Sequence, residues 1–363
     1  MEKMVSIPNS HFWCDRKVFL TGHTGFKGTW LSLWLAELGA ELTGLSLPVT
    51  ADNTFFENTE IAKEISHIES DILDYNSLLH ALKACNPSVI FHFAAQSLVS
   101  KGYEDPLKTW NTNVQGTANL LQAVHEADLQ NCTILVATTD KVYLNLEANI
   151  RFVETDMIGG HDPYSASKAA TEILLSSWSK SFDKIMSERN CTLLSLRAGN
   201  VIGGGDWSEN RILPDLARAF YEGRTLNIRQ PESVRPWQYV LDVLNAYLLL
   251  AEGGSDGRIE TASAWNIGPP EGESHSVKSL VEEARKKWPG EVNYAAESDF
   301  QEAKVLRLNI SKLVSHLSWR PVLSFEQSVE ETVNWYREAL RGGCLKKLSL
   351  QHLRGYLDGA RNG

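Results

Sequence analysis

A tyrosine and a lysine four positions apart could carry out acid–base chemistry in this chain. Tyr164 and Lys168 follow Asp162, a favourable helix N-cap, and Pro163, which suits the first helical position. Residues spaced by four lie on one face of a helix, so we expect the ammonium to lie beside the phenol. An adjacent positive charge favours the phenolate, and we therefore expect the pKa of Tyr164 to lie below its ordinary value of about 10, which makes it a usable base.

A second pair of titratable residues follows a predicted strand. Asp140 and Lys141 come directly after Thr139, at the end of the apolar run Cys132–Thr138. An aspartic acid can protonate a departing hydroxyl, and a lysine can act as a base when neutral or stabilise an enolate when charged. The residue types leave both roles open for Lys141, and a turn on the protein surface would tolerate the same residues.

A glycine-rich turn predicts a dinucleotide-binding site. The run TGHTGFKG at 21–28 lies between the predicted strand Lys17–Thr21 and the predicted helix Thr29–Gly39. Glycines at such a turn let backbone N–H groups approach a pyrophosphate, which the positive end of the helix then stabilises. The cofactor-binding residues that we predict in this turn are Gly22, Thr24, Gly25, Phe26 and Gly28.

The end of the second predicted strand, Glu41–Leu47, favours NAD over NADP. Ser46 is the only polar side chain there, and no arginine follows it closely to meet a 2′-phosphate. Asp71 comes after the next strand, where its carboxylate could accept a hydrogen bond from the adenine amino group. We therefore expect NAD to be the cofactor.

The order of elements predicts an α/β fold with a doubly wound, Rossmann-like parallel sheet, because strands and helices alternate over residues 12–198. The further predicted strands are Ser88–Ala94, Cys132–Thr138 and Cys191–Ala198, and the further helices are Ser77–Ala84, Val114–Ala127 and Ala166–Lys184. We expect this dinucleotide-binding domain to include a return segment at about 238–268. Residues 199–237 and 269–345 should form a smaller substrate-binding lobe, with helices at Ser276–Trp288 and Ser324–Leu340. The basic tail beyond Gly342 yields no prediction.

The overall composition argues against several classes of protein. The 363 residues carry 35 Lys and Arg against 45 Asp and Glu, a formal charge of −10, which disfavours a general nucleic-acid binder. The longest apolar runs have strand length and Met1–Ser10 lacks the apolar core of a signal peptide, so we expect a cytoplasmic protein without membrane contacts. Five cysteines without a CxxC pair predict reduced thiols and no metal site.

The glycine-rich turn and the Tyr164–Lys168 pair together resemble the extended short-chain dehydrogenase/reductase family. The segment FHFAAQ at 91–96 is similar to that family's fourth strand. The resemblance implies that Tyr164 is the acid–base residue of a hydride transfer, that Lys168 positions the nicotinamide ribose, and that Thr139 completes the catalytic triad. The family's further cofactor contacts would be Asp71, Ile72, Ala94, Ala95, Gln96 and Asn113.

One branch of that family is especially similar. TTDK at 138–141 resembles the signature of nucleotide-sugar 4,6-dehydratases, and the segments 23–28, 159–164, 197–207 and 235–238 resemble the members that act on CDP-glucose. The resemblance implies C4 oxidation, loss of water across C5–C6 with Asp140 as the acid, and a 4-keto-6-deoxy sugar for surface polysaccharides such as O-antigen lipopolysaccharide. The implied substrate-binding residues are Gln96, Asn200, Arg211, Arg235 and Glu302, and an arginine fork suits a diphosphate.

Four positions depart from the pattern of that branch. Ala148 replaces an aromatic residue, Arg151 replaces a glycine, and Gln301 and Asn309 differ near the C-terminus. A dehydratase for a different nucleotide sugar therefore stays open. So do a 4-epimerase or reductase on the same fold and a cofactor-binding regulatory protein without activity.

The family resemblance also implies a homodimer, or a tetramer, formed through helices near Thr112–Ala127 and Ser165–Lys184. Each helix carries apolar residues that suit such a contact, namely Leu120, Leu121 and Val124 on the first and Ile173, Leu174 and Trp178 on the second. Ordinary core packing would produce the same pattern.

Overall fold

The computed structural model describes residues 5–49, 54–146, 150–295 and 305–362. Its strands are β1 (Lys17–Thr21), β2 (Glu41–Ser46), β3 (Ser66–Glu69), β4 (Val89–His92), β5 (Thr133–Ala137), β6 (Thr192–Ala198), β7 (Val201–Ile202), β8 (Leu226–Arg229), β9 (Val234–Arg235), β10 (Gln238–Tyr239), β11 (Ser263–Ile267), β12 (His275–Ser276) and β13 (Val292–Ala295). Seven of these form one parallel sheet in the order β11–β6–β5–β4–β1–β2–β3.

The helices flank this sheet and fill the C-terminal part of the chain. They are α1 (Ser10–Trp13), α2 (Phe26–Glu37), α3 (Phe55–Thr59), α4 (Tyr75–Cys85), α5 (Val99–Glu104), α6 (Pro106–Trp110), α7 (Gly116–Glu126), α8 (Pro163–Ser181), α9 (Asp183–Glu188), α10 (Ile212–Tyr221), α11 (Val240–Ser255), α12 (Val277–Lys287), α13 (Ser311–Leu317), α14 (Phe325–Leu340) and α15 (Leu345–Asn362). Short 3₁₀ turns cover Ile61–Lys63 and Asp140–Val142, and a π-helical turn, Asn111–Gln115, leads into α7.

The strand order creates a crevice above the middle of the sheet. β1 pairs with β2 on one side and with β4 on the other, so the connections after β1 and after β3 leave in opposite directions. The carboxyl ends of neighbouring strands then open on a gap between the two sets of helices, which is where open α/β sheets bind ligands. The predicted sheet is confirmed, because every one of its five predicted strands is present with small shifts at the ends.

The strands form because their side chains are buried on both faces. Every residue of β4 and of β5 is buried, as continuous apolar runs in a parallel sheet require. On one face, Leu120 and Leu121 of α7 pack in a core cluster that includes Ile90 and Ile134 of the sheet. Most of the apolar face that we considered for subunit pairing on α7 therefore serves the core.

Capping residues set the start of two helices: α2 begins three residues before its predicted start, whereas α8 begins at Pro163, as Asp162 and Pro163 predicted. α2 starts at Phe26 because Gly25 takes the N-cap position, and Gly39, with φ of 80°, follows its C-terminal end as expected. α8 starts at Pro163, where Asp162 accepts hydrogen bonds from the backbone N–H groups of Tyr164 and Ser165. Both ends follow the capping preferences of the local residues.

The tail that gave no prediction forms the helix α15, which packs on α2, α3 and α14. Leu348 and Leu353 are buried on its inner face, and the Tyr356 hydroxyl donates a hydrogen bond to Asp242 Oδ1 on α11 at 2.8 Å. The charged residues of this segment did not predict a helix. Its apolar face is evident only from the elements that it packs against.

The segment 238–268 contributes α11 and β11, and β11 pairs with β6 at the edge of the sheet. The helices α12 and α14 lie close to their predicted positions. The division of the chain into two domains stays a prediction. Among the described residues, no helix is long and apolar enough to cross a membrane.

Candidate active site

A cavity of about 680 Å³ lies above the carboxyl ends of the central strands. The cavity is lined by the glycine-rich turn, by Thr139, Lys141 and Tyr164, and by Arg211 and Arg235. Residues at or just after the ends of six strands, β1 to β6, thus face one space together with Tyr164 of α8.

The glycine-rich turn packs so closely on neighbouring backbone that a Cβ does not fit at Gly22 or Gly28. A Cβ on Gly22, which has φ of 75°, would lie 2.7 Å from the backbone nitrogen of Ala94, so the ends of β1 and β4 can approach only with glycine there. A Cβ on Gly28 would lie 2.2 Å from the carbonyl oxygen of Gly22. Gly25 offers no side-chain cap to α2, so N–H groups of the first helical turn are open to an anion.

Among the described lining residues that end or follow β2 and β3, at 45–49 and 70–72, none is basic. Ser46 ends β2, and its hydroxyl shares a hydrogen bond of 2.7 Å with the Thr24 hydroxyl. Asp71 is exposed and lines the cavity, with Oδ1 accepting a hydrogen bond from the Leu73 backbone N–H at 3.0 Å. Ile72 beside it is buried against Gly116.

Tyr164 and Lys168 share one face of α8 as predicted, but the lysine does not act on the phenol in the expected way. The Lys168 ammonium donates a hydrogen bond of 3.0 Å to the carbonyl oxygen of Ala137, at the end of β5. Burial raises the pKa of Tyr164 above its ordinary value, against the lowering effects of Lys141, the Thr139 hydroxyl and Arg211. Our expectation of a lowered pKa was wrong, because desolvation outweighs those charges.

Two lysines come close together beneath the phenol. Burial and the neighbouring Lys27 ammonium lower the pKa of Lys168 to about 7. Burial and Arg211 lower the pKa of Lys27 to about 8, and its ammonium lies 5.5 Å and 5.6 Å from the ring centroids of Phe93 and Tyr247. Both lysines can therefore exchange a proton near neutral pH.

The turn after β5 brings an acid and a cation together. Asp140 is fully buried, and its Oδ1 accepts hydrogen bonds from the Thr139 hydroxyl at 3.0 Å and from the Lys141 ammonium at 3.2 Å. Its Oδ2 is buried and has no hydrogen-bond partner within the described parts of the chain. Asp140 and Lys141 shift the pKa of Tyr164 in opposite directions, so all three side chains are close neighbours.

Three arginines line the cavity, namely Arg211, Arg229 and Arg235. Arg211 Nη1 donates a hydrogen bond of 2.9 Å to Asp206 Oδ2, and Asp206 is itself buried. Arg235 is buried and lines the cavity, as does Asn200, whose Oδ1 accepts a bond from the Lys141 ammonium at 3.4 Å. The cation cluster suits a diphosphate, because guanidinium forks bond two oxygens at once.

Comparison with known proteins agrees with this site. The sequence profile described as GDP-mannose 4,6 dehydratase matches residues 19–332. CDP-glucose 4,6-dehydratase of Salmonella typhimurium is 35% identical over 354 residues, which cover 96% of this chain and 98% of that protein. The chain belongs to the GDP-mannose 4,6-dehydratase family of extended short-chain dehydrogenases/reductases.

Solved structures show the same architecture. The UDP-glucose 4-epimerase of Thermus thermophilus, in complex with NAD, has a TM-score of 0.76 at 26% identity, over 89% of this chain and 99% of that one. The dTDP-glucose 4,6-dehydratase of Bacillus anthracis, in complex with NAD, has a TM-score of 0.76 at 22% identity, over 92% of this chain and 99% of that one, and shows the fold. Epimerases and dehydratases therefore share this family's fold.

Some predicted site residues lie behind the cavity wall. Gln96 donates to the Thr109 hydroxyl at 2.8 Å and accepts from the Leu98 backbone N–H at 2.6 Å, so its amide is directed into the protein. Asn113 binds the Gln96 backbone N–H and the Ser167 hydroxyl. Asp140 and Lys168 lie one layer back too, whereas Ala94 and Ala95 border the cavity. Glu302 lies outside the described residues.

Sequence reasoning missed two features of this site. Lys27 belongs to the glycine-rich motif and lines the cavity, but it was not among the cofactor contacts that we predicted in that motif. Glu172 and Arg197 form a buried ion pair under the Thr139–Lys141 turn. Lys27 could have been predicted from the motif itself, whereas the Glu172–Arg197 pair depends on a contact between residues far apart in sequence.

Proposed function

We propose that this protein is an NAD-dependent nucleotide-sugar 4,6-dehydratase, a hydro-lyase that converts CDP-glucose to CDP-4-keto-6-deoxyglucose. The observation that carries the proposal is the closeness of two acid–base elements. Tyr164, Thr139 and Lys141 line the same cavity, and Asp140 lies directly behind that lining, bonded to both Thr139 and Lys141. A dehydratase needs both elements, since it must take a proton at C4 and give one at C6.

The residues at the glycine-rich end fit a dinucleotide. The uncapped start of α2 and the glycine contacts around Gly22 and Gly28 suit a pyrophosphate, and Thr24, Phe26, Asp71 and Ala94 border the adjoining space. When bound, NAD supplies the hydride chemistry, since it can accept a hydride from the sugar and later return it. We assign Lys168 to the nicotinamide ribose on the basis of the family resemblance.

Tyr164 is the proposed base for the first step. Its phenolate takes the proton of the C4 hydroxyl as the C4 ketone forms. The Lys141 ammonium and the Thr139 hydroxyl lower the pKa of Tyr164 against the effect of burial, so they favour that phenolate. We assign Thr139 to the oxygen at C4 on the basis of the family resemblance.

Asp140 is the proposed acid for the second step. The ketone at C4 acidifies the proton on C5, and loss of the C6 hydroxyl as water requires a proton from the protein. The Oδ2 atom of Asp140 is buried without a hydrogen-bond partner among the described residues, so this oxygen is not committed to another protein group. Thr139 and Lys141, which bond the other oxygen, connect this carboxyl to the cavity.

Lys141 is placed for either of its two roles. Its ammonium contacts Asp140 and Asn200, between the acid and the substrate end of the cavity. As a base it would take the C5 proton, and as a cation it would stabilise the enolate between C4 and C5. Replacement Lys141→Met, with C5–H exchange measured separately from C4 oxidation, distinguishes the two; unchanged exchange would exclude the base.

Arg211, Arg235 and Asn200 are the proposed contacts of the nucleotide sugar. Both arginines line the cavity, where they would neutralise a diphosphate. Gln96 and Glu302 stay predictions, the first with its amide bonded to protein groups and the second outside the described residues. The segments 148–153 and 301–309 depart from the related branch, and we propose that they select a different nucleotide sugar where one is used; Ala148 and Gln301 lie outside the described residues.

We propose that the protein acts as a homodimer in the cytoplasm, in deoxysugar synthesis for surface polysaccharides. Three large apolar side chains on α6 and α8 are exposed: Leu107, Trp110 and Ile173. Contiguous exposed apolar residues favour subunit pairing, and α6 packs against α8, so they can form one surface. A tetramer would need a second such surface.

Mass spectrometry of CDP-glucose incubated with the protein in D₂O, with catalytic NAD⁺, tests the proposed reaction. A product lighter by one water, with one solvent deuterium at C5, supports the 4,6-dehydratase and its nucleotide together. Conversion of a different nucleotide sugar in a panel keeps the reaction and changes the substrate. An isomeric product that has lost no water identifies a 4-epimerase and contradicts the roles given to Asp140 and Lys141.

A further inference from the structure

A buried ion pair lies directly beneath the Thr139–Lys141 turn. Glu172 on α8 and Arg197 on β6 are joined by two hydrogen bonds, from Arg197 Nη2 to Glu172 Oε2 at 2.8 Å and from Arg197 Nε to Glu172 Oε1 at 3.0 Å. Both side chains are more than nine-tenths buried. A buried ion pair is weak support for stability, since desolvation of the two charges offsets much of their attraction, so a role in fixing geometry must be considered.

The glutamate holds the first end of the turn. The Thr138 hydroxyl donates a hydrogen bond of 2.6 Å to Glu172 Oε1, and Thr138 immediately precedes Thr139. Ser195 on β6 donates to the same carboxylate oxygen. Glu172 lies eight residues after Tyr164 on α8, so one carboxylate links the helix that carries the base to the strand end that carries the acid.

The arginine holds the other end of the turn. Arg197 Nη1 donates to the Tyr143 hydroxyl at 3.0 Å and to the carbonyl oxygen of Glu154 at 2.9 Å. The Tyr143 hydroxyl in turn donates to Asn266 Oδ1 at 2.6 Å on the edge strand β11. Tyr143 follows Lys141 by two residues, so the pair fixes the chain on both sides of Asp140 and Lys141.

From these contacts we propose that Glu172 and Arg197 are positioning residues that keep Asp140 and Lys141 in register with Tyr164 and so couple C4 oxidation to the loss of water. The inference rests on the proposed dehydratase function. Tyr164 is fixed by its own helix and cap, whereas the turn with Asp140 is bonded to the ion pair at both ends. Loss of the pair should therefore impair the elimination more than the oxidation.

The substitution Glu172→Gln keeps the shape of the side chain and removes its charge. We expect the rate of water loss to fall by roughly one to two orders of magnitude, as a misplacement of about 1 Å costs, and the rate of C4 oxidation to fall by a clearly smaller factor. The oxidised sugar would then accumulate, and it can be counted by trapping the C4 ketone before elimination and by the absorbance of the reduced cofactor. Wild-type protein should show no such accumulation.

Glu252→Gln is the matched control. Glu252 on α11 is a buried glutamate that accepts hydrogen bonds from the Trp13 indole N–H at 2.8 Å and the Asn9 backbone N–H at 2.7 Å, away from the turn. The same chemical change there should leave the ratio of oxidation to elimination as in the wild type. Tyr143→Phe, which removes one hydroxyl and keeps the ring stacked on Phe152, should shift the ratio in the same direction as Glu172→Gln by a smaller factor.

An unchanged ratio in Glu172→Gln, or an equal fall in both steps, overturns the proposal. If that variant does not fold, Tyr143→Phe decides, and an unchanged ratio there overturns the proposal equally. Failure of the wild-type protein to remove water from any nucleotide sugar contradicts the proposed function instead, so the two failures are distinguishable.

Discussion

The glycine-rich turn and the Thr139–Lys141 turn both follow buried strands of one parallel sheet, yet different forces hold them. At the first, the backbone itself is the proposed binding surface, and a Cβ at Gly22 or Gly28 would lie within 3 Å of neighbouring backbone atoms, so these positions require glycine. At the second, the chain is fixed by side chains from α8, β6 and β11 that are distant in sequence. A backbone site depends on residue size at a few positions, whereas a side-chain site depends on charge and hydrogen bonding.

The same contrast separates the reactions that the fold can support. A dinucleotide turn of this kind needs only local sequence, and dehydratases and epimerases share the fold that carries it. The Thr139–Lys141 turn needs a buried carboxyl and partner residues that hold it, which requires more of the sequence than the glycine-rich turn does. We infer that specialisation of this chain for water loss is located in the second region.

The largest effect is expected at Asp140, where the change tests the side-chain region directly. Asp140→Asn preserves shape and cannot donate a proton as an acid, so we expect water loss to fall by about 10²–10⁴-fold while C4 oxidation continues. Separate measurement of the C4 ketone and of the dehydrated product checks this. Asp128→Asn, at an exposed carboxylate paired with Arg189, is the control and should change neither step. Undiminished water loss in Asp140→Asn would place the acid elsewhere.

The second prediction concerns Asp242, a buried carboxyl whose hydrogen bonds within the described part of the chain come from neutral groups, in contrast to Glu172. Burial raises the pKa of Asp242 to about 7, despite hydrogen bonds from the Val322 N–H and the Tyr356 hydroxyl. The unfolded chain would have a pKa near 4, so the folded state holds more protons between about pH 4 and pH 7. Stability should therefore fall as the pH rises through that window, by up to about 4 kcal/mol from this group.

Chemical denaturation at several pH values measures that dependence. Asp242→Asn should show a flatter profile between about pH 4 and pH 7, because the neutral amide does not titrate. Asp358→Asn, an exposed residue on α15, should keep the wild-type profile. Equal slopes for the wild type and Asp242→Asn would show that this carboxyl does not govern the attachment of α15.

Local sequence predicted the backbone region well and the side-chain region in part. The glycine spacing, the N-cap Asp162 and the spacing of Tyr164 and Lys168 are each contained within a few residues, so they were predictable. The contact between Glu172 and Arg197 joins residues 25 apart, which no local pattern indicates. The pKa of Tyr164 was wrongly predicted for a related reason, because Lys168 bonds the Ala137 carbonyl and burial by distant residues dominates.

The third prediction concerns a substitution that should disrupt the glycine-rich turn. In Gly28→Ala the new Cβ would lie 2.2 Å from the Gly22 oxygen and 2.7 Å from the His23 Cα, and backbone atoms cannot move aside cheaply. We expect a loss of about 1–3 kcal/mol in stability and weaker binding of NAD, measured by denaturation and calorimetry. Gly355→Ala on α15, where nothing lies within 4 Å, should be stabilising by roughly 0.5–1 kcal/mol. Wild-type NAD affinity in Gly28→Ala would show that the turn does not form the binding surface.

The smallest effect is expected at Arg211, one of the proposed substrate contacts. Arg211 borders the cavity and bonds Asp206, so its fork can hold that carboxylate and still present donors to a diphosphate. Arg211→Lys keeps the charge but offers a single point of contact, and we expect KM for the nucleotide sugar to rise about tenfold, or about 1.4 kcal/mol, with kcat little changed. Arg224→Lys, in an exposed pair with Glu222, should leave both constants unaltered. A fall in kcat without a rise in KM would instead assign Arg211 to the catalytic turn, where its charge already lowers the pKa of Tyr164.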